Sequence, residues 1–191
     1  DDILGTLSKR FDDECIIVTG DRDSFQLVSP TTKVFWTKKG VSDIEVYDEE
    51  RLLQDGFTVS QFIDYKALRG DTSDNVPGIA GVGEKTAKQL LEKYGSLDEI
   101  LAHADEIPGK LGQNVQNGKD IAILSKELVT INCDVPVECT LDDIKFTPVY
   151  SQSVRTLLGQ FEITSLAARM TFESGEEELP VELPKIEKNV V

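Results

Sequence analysis

Apolar residues recur at helical spacing from the first turn of the chain. Ile3, Leu4, Leu7 and Phe11 follow the acidic pair Asp1 and Asp2, and acids suit a helix N-terminus. Next comes a short continuous apolar run, CIIVTGD from Cys15 to Asp21, which reads as a buried parallel strand. Its acids fall at the carboxyl end, where open α/β sheets place their ligands. Ser24 to Val28 suits a short helix. Lys33 to Thr37 and Ile44 to Tyr47 read as strands around the turn at Lys39 and Gly40, and Glu49 to Gln54 and Ser60 to Leu68 as helices. Further helices are expected over Glu84 to Tyr94, stopped by Gly95, over Leu97 to Ala104, and over Lys119 to Ile131 with Ile121, Leu124, Leu128 and Ile131 on the apolar face. Ser153 to Phe161 and Ile163 to Phe172 read as short terminal helices, and the Pro- and Glu-rich segment from Ser174 as a solvated linker. No internal repeat is visible.

The chain of 191 residues can bury a proper core as one domain or two small ones. Its apolar content of 39% is ordinary for a globular protein, and no apolar run approaches the ~20 residues of a membrane helix. The first residue is Asp1, so an upstream segment is expected. A net charge of −15 argues at first against a nucleic-acid partner. The acidity is uneven, however. From Glu173 onward six acids face two lysines, whereas between Gln61 and Gly95 five acids are matched by Lys66, Arg69, Lys85, Lys88 and Lys93. Cys15, Cys133 and Cys139 form no CxxC and read as free thiols of a reducing cytosol, and the sole histidine, His103, has no nucleophile near it in sequence.

Three acidic pairs carry the chemistry: Asp1 with Asp2, Asp21 with Asp23, and Asp71 with Asp74. Each alone is commonly a cap, a turn or a solvated face. Together they suit divalent metal, because all-oxygen clusters bind Mg²⁺ or Mn²⁺, and two such ions roughly 4 Å apart serve phosphodiester hydrolysis. Asp21 and Asp23 are expected on one side of an extended strand end. Beside the third pair stands a glycine-punctuated hairpin, Gly78, Gly81 and Gly83, leading into a helix whose N-terminus offers unpaired N–H groups to a phosphate. GIAGVGEKT nearly matches a P-loop, but Glu84 between Gly83 and Lys85 breaks the register by which lysine reaches the phosphates. A metal site beside a phosphate cradle points to a polynucleotide substrate.

The segments DDILGTLSK from Asp1, TGDRDSFQLV from Thr19 and KALRGDTSDNVPGIAGVGEKTAKQLLEKYGSL from Lys66 resemble the second half of the 5′ to 3′ exonuclease domain of bacterial DNA polymerase I, a member of the flap endonuclease family. The resemblance runs from Asp1 to about Phe172. It implies an α/β fold, a parallel sheet with flanking helices in a PIN-like nuclease core incomplete at its N-terminus, joined to a helix-three-turn-helix DNA-binding subdomain. The corresponding boundaries are 1–65 for the core, 66–172 for the DNA-binding and closing helices, and 173–191 for an acidic linker. The resemblance also implies that Asp1, Asp2, Asp21, Asp23, Asp71 and Asp74 are catalytic metal ligands for two Mg²⁺ or Mn²⁺ ions. Gly81, Val82, Gly83, Glu84, Lys85, Thr86 and Lys88 would then meet the DNA. Main-chain oxygens of Leu68, Arg69, Pro77, Ile79 and Val82 would hold K⁺.

The implied activity is 5′ to 3′ exonuclease and 5′ flap endonuclease action on duplex DNA with flaps, nicks or RNA primers. It would serve repair and replication in the cytoplasm, in continuity with a polymerase. The family's first half, with its opening strand, a further acid and the basic arch helices, has no counterpart in this sequence. That absence favours an alternative, a non-catalytic module for duplex or branched DNA.

Overall fold

The computed structural model describes residues 1–11, 14–40 and 42–174, which divide into two compact units, Asp1–Glu138 and residues from Cys139 onward. In the first, α1 (Asp2–Arg10) leads into β1 (Cys15–Thr19). A 3₁₀ helix (Arg22–Leu27) then leads to β2 (Thr32–Thr37) and β3 (Ile44–Tyr47). β1 and β2 are parallel, with Ile17 opposite Val34, and β2 and β3 are antiparallel, with Val34 opposite Tyr47. The crossover is short because the 3₁₀ helix lies directly on the sheet. There Phe25 stacks on Tyr47 at 3.8 Å and packs edge-on to Trp36.

The sheet buries one face only. Ile17, Val34 and Tyr47 turn inward, while Ile16, Val18, Ile44 and Val46 stay exposed. The expected fully buried strand at Cys15 is therefore half-buried, since only one of its faces meets a helix layer.

Helices complete the unit: α2 (Glu49–Gln54), α3 (Val59–Arg69), α4 (Glu84–Tyr94), α5 (Leu97–Ala102), α6 (Gly109–Asn117) and α7 (Lys119–Val129). α3 starts at a capping box, in which Thr58 Oγ1 accepts from Gln61 N–H and the Gln61 side chain accepts from Thr58 N–H. It is the central element: Phe62, Asp64, Tyr65, Lys66, Ala67 and Leu68 are all buried on it. The boundary expected at 65/66 lies inside this helix. Sequence reading missed α6, because Gly109 and Gly112 are poor helix formers. Gly112 is there for contact, since a Cβ would strike the carbonyl of Ile107.

Two helices turn the face opposite to the one their periodicity suggests. α7 buries Ala122, Ser125 and Val129, while Ile121, Leu124 and Leu128 are exposed; only Ile131 of the expected stripe is buried. α1 buries Gly5, Thr6 and Ser8 and exposes Ile3 and Leu4, while Leu7 and Phe11 of the expected stripe are half-buried. The reason is close approach. A Cβ on Gly5 would lie 2.8 Å from both Cys133 and Ile131, so small residues face the neighbouring segment. The Gln26 side chain fastens the same region: its amide donates to Val129 O and its carbonyl accepts from Ile131 N–H, both at 2.9 Å.

The second unit holds α8 (Gln152–Gln160), α9 (Thr164–Ala167) and a two-stranded parallel pair, β4 (Val149–Tyr150) and β5 (Thr171–Phe172). The last expected helix thus ends early, at Ala167, and the chain returns as a strand against Tyr150. The linker expected from Ser174 lies outside the described residues beyond that position.

Candidate metal centre and phosphate cradle

The loop after α3 is folded by its own polar groups. Asp71 and Val76 exchange main-chain hydrogen bonds of 2.9 and 2.7 Å, Asn75 adopts a left-handed conformation (φ 57°), and Ser73 N–H and Oγ donate to Asp71 Oδ1. This turn presents Asp71 and Asp74 together. Across from it Asp21 caps the 3₁₀ helix, its carboxylate accepting from Asp23 N–H at 2.9 Å. Asp21 is therefore the cap of a helical turn and Asp23 lies within its first turn, so the two do not share one side of an extended strand end. The strand stops at Thr19, and capping the 3₁₀ helix turns the chain.

Carboxylate oxygens of Asp23, Asp71 and Asp74 all lie within 4.8 Å of one another. Hard, charged oxygen donors this close fit a divalent cation of the Mg²⁺ class and repel one another without a cation. Asp21 lies beside them, lining with Asp23 and Asp71 to Asp74 a cleft of about 390 Å³ walled by Arg22, Phe62, Tyr65, Lys66 and Arg69. Asp1 and Asp2 are not in the three-carboxylate cluster. They line a second cleft, of about 160 Å³, with Asp21, Asp23 and Asp74 on its other side. Asp2 is partly engaged, its Oδ1 accepting from Asn132 N–H at 2.9 Å.

Sequence reading counted Lys66 among the basic residues but gave it no place in the site. It is only 5% exposed, and its ammonium pairs with Asp23 and with Asp71, the latter at 2.8 Å. Burial by itself would push the Asp71 carboxyl up, but Lys66 and the Ser73 hydroxyl and N–H outweigh it and hold that group far below the usual carboxylate range. The available signal was a lysine in a helix whose flanking positions, Tyr65, Ala67 and Leu68, are apolar, five residues before an acid.

The glycine segment is joined rigidly to the acidic loop. Gly70 and Gly78 sit back to back with φ of 79° and 63°, and a Cβ on either would collide with the other strand's backbone. Ile79 N–H donates to Leu68 O, Gly78 N–H to Ser125 Oγ, and Val82 N–H to Ile79 O. Two of the five carbonyls expected to face K⁺, those of Leu68 and Ile79, thus already accept main-chain hydrogen bonds. The carbonyls of Arg69 and Pro77 lie against Gly78 and Gly70.

α4 begins at Gly83 without a side-chain cap, leaving its first N–H groups open. Gly81, Gly83, Glu84 and Lys85 are exposed, Thr86 and Lys88 half-buried, and Val82 buried. Lys88 lies 3.5 Å from Glu84 and over the Phe57 ring at 5.1 Å. His103 sits apart, its Nδ1 2.9 Å from Glu106, whose carboxylate raises the imidazole's affinity for a proton. Cys15, Cys133 and Cys139 are free thiols.

DNA polymerase I of Bacillus caldotenax is 42% identical over 186 residues, which are 95% of this chain and 21% of the polymerase. That of Bacillus subtilis is 37% identical over 196 residues, 22% of its length. The chain thus spans about a fifth of these relatives. Among solved structures, a zinc-bound T5 5′-exonuclease superposes with a TM-score of 0.58 at 22% identity, over 68% of this chain and 48% of the other. The bacteriophage T5 flap endonuclease, in a complex with DNA and metal ions, gives 0.56 at 22% identity over 66% and 46%. These likenesses establish the fold. The family model described as the 5′-3′ exonuclease, C-terminal SAM fold, matches residues 57–152, which hold α3, the acidic loop and the glycine cradle, and the chain belongs to that family.

Proposed function

We propose that this chain is the metal-holding and duplex-gripping part of a 5′ nuclease. In the parent protein, a DNA polymerase I acting in the cytoplasm, it would hydrolyse phosphodiesters near 5′ ends, at flaps, nicks and RNA primers during repair and primer removal. The observation that carries the reading is the convergence of the Asp23, Asp71 and Asp74 carboxylates within 4.8 Å, one loop away from an uncapped helix N-terminus.

Asp71 and Asp74 from the loop and Asp23 from the 3₁₀ helix would hold one Mg²⁺ or Mn²⁺, with Asp21, Asp1 and Asp2 at the margin for a second. Bound metal supplies a nucleophile at neutral pH and neutralises charge developing on the phosphate. The residues themselves do the rest. The N–H groups at Gly81, Gly83, Glu84, Lys85 and Thr86 bind a backbone phosphate, Lys85 and Lys88 add charge, and none of these contacts reads sequence. The buried Val82 contributes through its main chain. K⁺ at the Arg69, Pro77 and Val82 carbonyls would stiffen the cradle, in which Leu68 and Ile79 already bond.

A second reading, a DNA-binding module without catalysis, is favoured by one observation: Asp1 and Asp2 stand outside the cluster. Cleavage of a 5′-labelled flap duplex in Mg²⁺ and Mn²⁺, with EDTA as control and binding followed in Ca²⁺, separates the two. Cutting near the junction that is lost in Asp21→Asn, with binding retained, is the outcome expected for the nuclease. Binding without metal-dependent cutting assigns the chain as the grip alone.

A further inference from the structure

We propose that Lys66 is the built-in counter-cation of the metal centre: its ammonium holds Asp23 and Asp71 together while the site lacks metal, and it must release Asp23 for a divalent ion to enter. The inference rests on the metal-site reading above and adds a positioning residue to it. A lysine ammonium is normally solvated, and burying one is unfavourable unless it is paired. Lys66 is 5% exposed and spends its charge on two of the three carboxylates that converge. Asp74, the third, is exposed and has solvent to screen it. Lys66 lies on a helix with buried residues on both sides of it, Tyr65, Ala67 and Leu68, and its ammonium ends at the acids.

Two consequences have opposite signs, and that makes the idea testable. Without metal, removing the ammonium leaves like charges in mutual repulsion, which destabilises the fold. With metal, the same removal deletes a competing positive charge, which tightens binding. Loss of a lysine with a merely structural role would lower both stability and metal affinity.

The test titrates Mn²⁺ calorimetrically into the full chain as wild type, Lys66→Met and Lys66→Arg, with thermal unfolding in EDTA and in excess Mn²⁺. Lys66→Met should bind Mn²⁺ about tenfold more tightly. It should also unfold at a lower temperature in EDTA and gain more from Mn²⁺ than wild type does. Lys66→Arg should restore stability in EDTA without the tighter binding. Equal or weaker Mn²⁺ affinity in Lys66→Met overturns the inference and leaves the metal site standing. Absence of Mn²⁺ binding in both proteins overturns the metal-site reading and the inference with it. Should Lys66→Met fail to fold, lysine Nζ resonances of the wild type decide: the buried ammonium signal seen in EDTA should shift and exchange faster with water on Mg²⁺ saturation, and a signal that does not move refutes the exchange.

Discussion

Asp64 tests how the site's scaffold is held. Its carboxylate is buried on α3, with Oδ2 accepting from Leu97 N–H at 2.9 Å and Oδ1 2.8 Å from Lys126 Nζ, so that one side chain ties α3 to the start of α5 and to α7. Asp64→Ala leaves the N–H of fully buried Leu97 without a partner, at about 1–3 kcal/mol. It also ends a pairing worth about 1 kcal/mol, a modest figure because the Lys126 side chain is 36% exposed and regains water. The expected loss is about 3 kcal/mol. Asp64→Asn keeps an acceptor for Leu97 and should lose about 1 kcal/mol. Lys126→Met is the revealing variant. It strands a carboxylate that has nowhere to go and should therefore lose about 3 kcal/mol, although Lys126 looks like an ordinary surface lysine. Urea unfolding followed by circular dichroism gives the three values. If Lys126→Met falls within about 0.5 kcal/mol of wild type, the pairing is no more than a surface ion pair and the argument fails.

Other expectations follow from the same geometry. Gly78→Ala forces a Cβ into the backbone of Arg69 and Gly70 at a φ of 63°, and thermal unfolding should show a loss of about 3 kcal/mol or more, together with loss of duplex binding. Lys38 first and Arg51 second hold the Glu45 carboxyl below its ordinary value, so its contribution is present above pH ~4.5 and lost as pH falls through the folded value; Glu45→Gln should flatten the acid side of the stability profile, below pH ~4.5. Duplex affinity in Ca²⁺ should fall with salt on a log–log slope of about −3, and Lys85→Ala should make it shallower by about 1, measured by anisotropy titration.

The sequence showed where elements begin more reliably than which way they face. α2, β3 and α4 begin and end where the sequence placed them, and the stop of α4 at Gly95 is a local signal. The faces of α1 and α7 were misread for a reason that is not local. Periodicity reports that a helix has an apolar stripe, but packing distance decides which stripe goes in. Gly5, Ala122 and Ser125 allow an approach that Ile3 and Leu128 would prevent. The acids of the cluster were legible as pairs. Their grouping was not, because Asp21 caps the helical turn that carries Asp23 and stays beside the three-carboxylate cluster, and because Lys66 reaches the site through the tertiary placement of α3.

That placement also bears on why the acidic loop and the phosphate cradle occur in one continuous segment. Between Asp71 and Gly78 the chain has little freedom of its own: the Asp71–Val76 pair closes the acidic turn, Gly70 and Gly78 lock it to the end of α3, and Ser125 holds Gly78 from α7. On the proposed nuclease reading, the carboxylates that would hold metal are fixed by packed backbone a short glycine step away from the helix N-terminus that would grip the phosphate, so the site of cutting would follow from where the duplex is held.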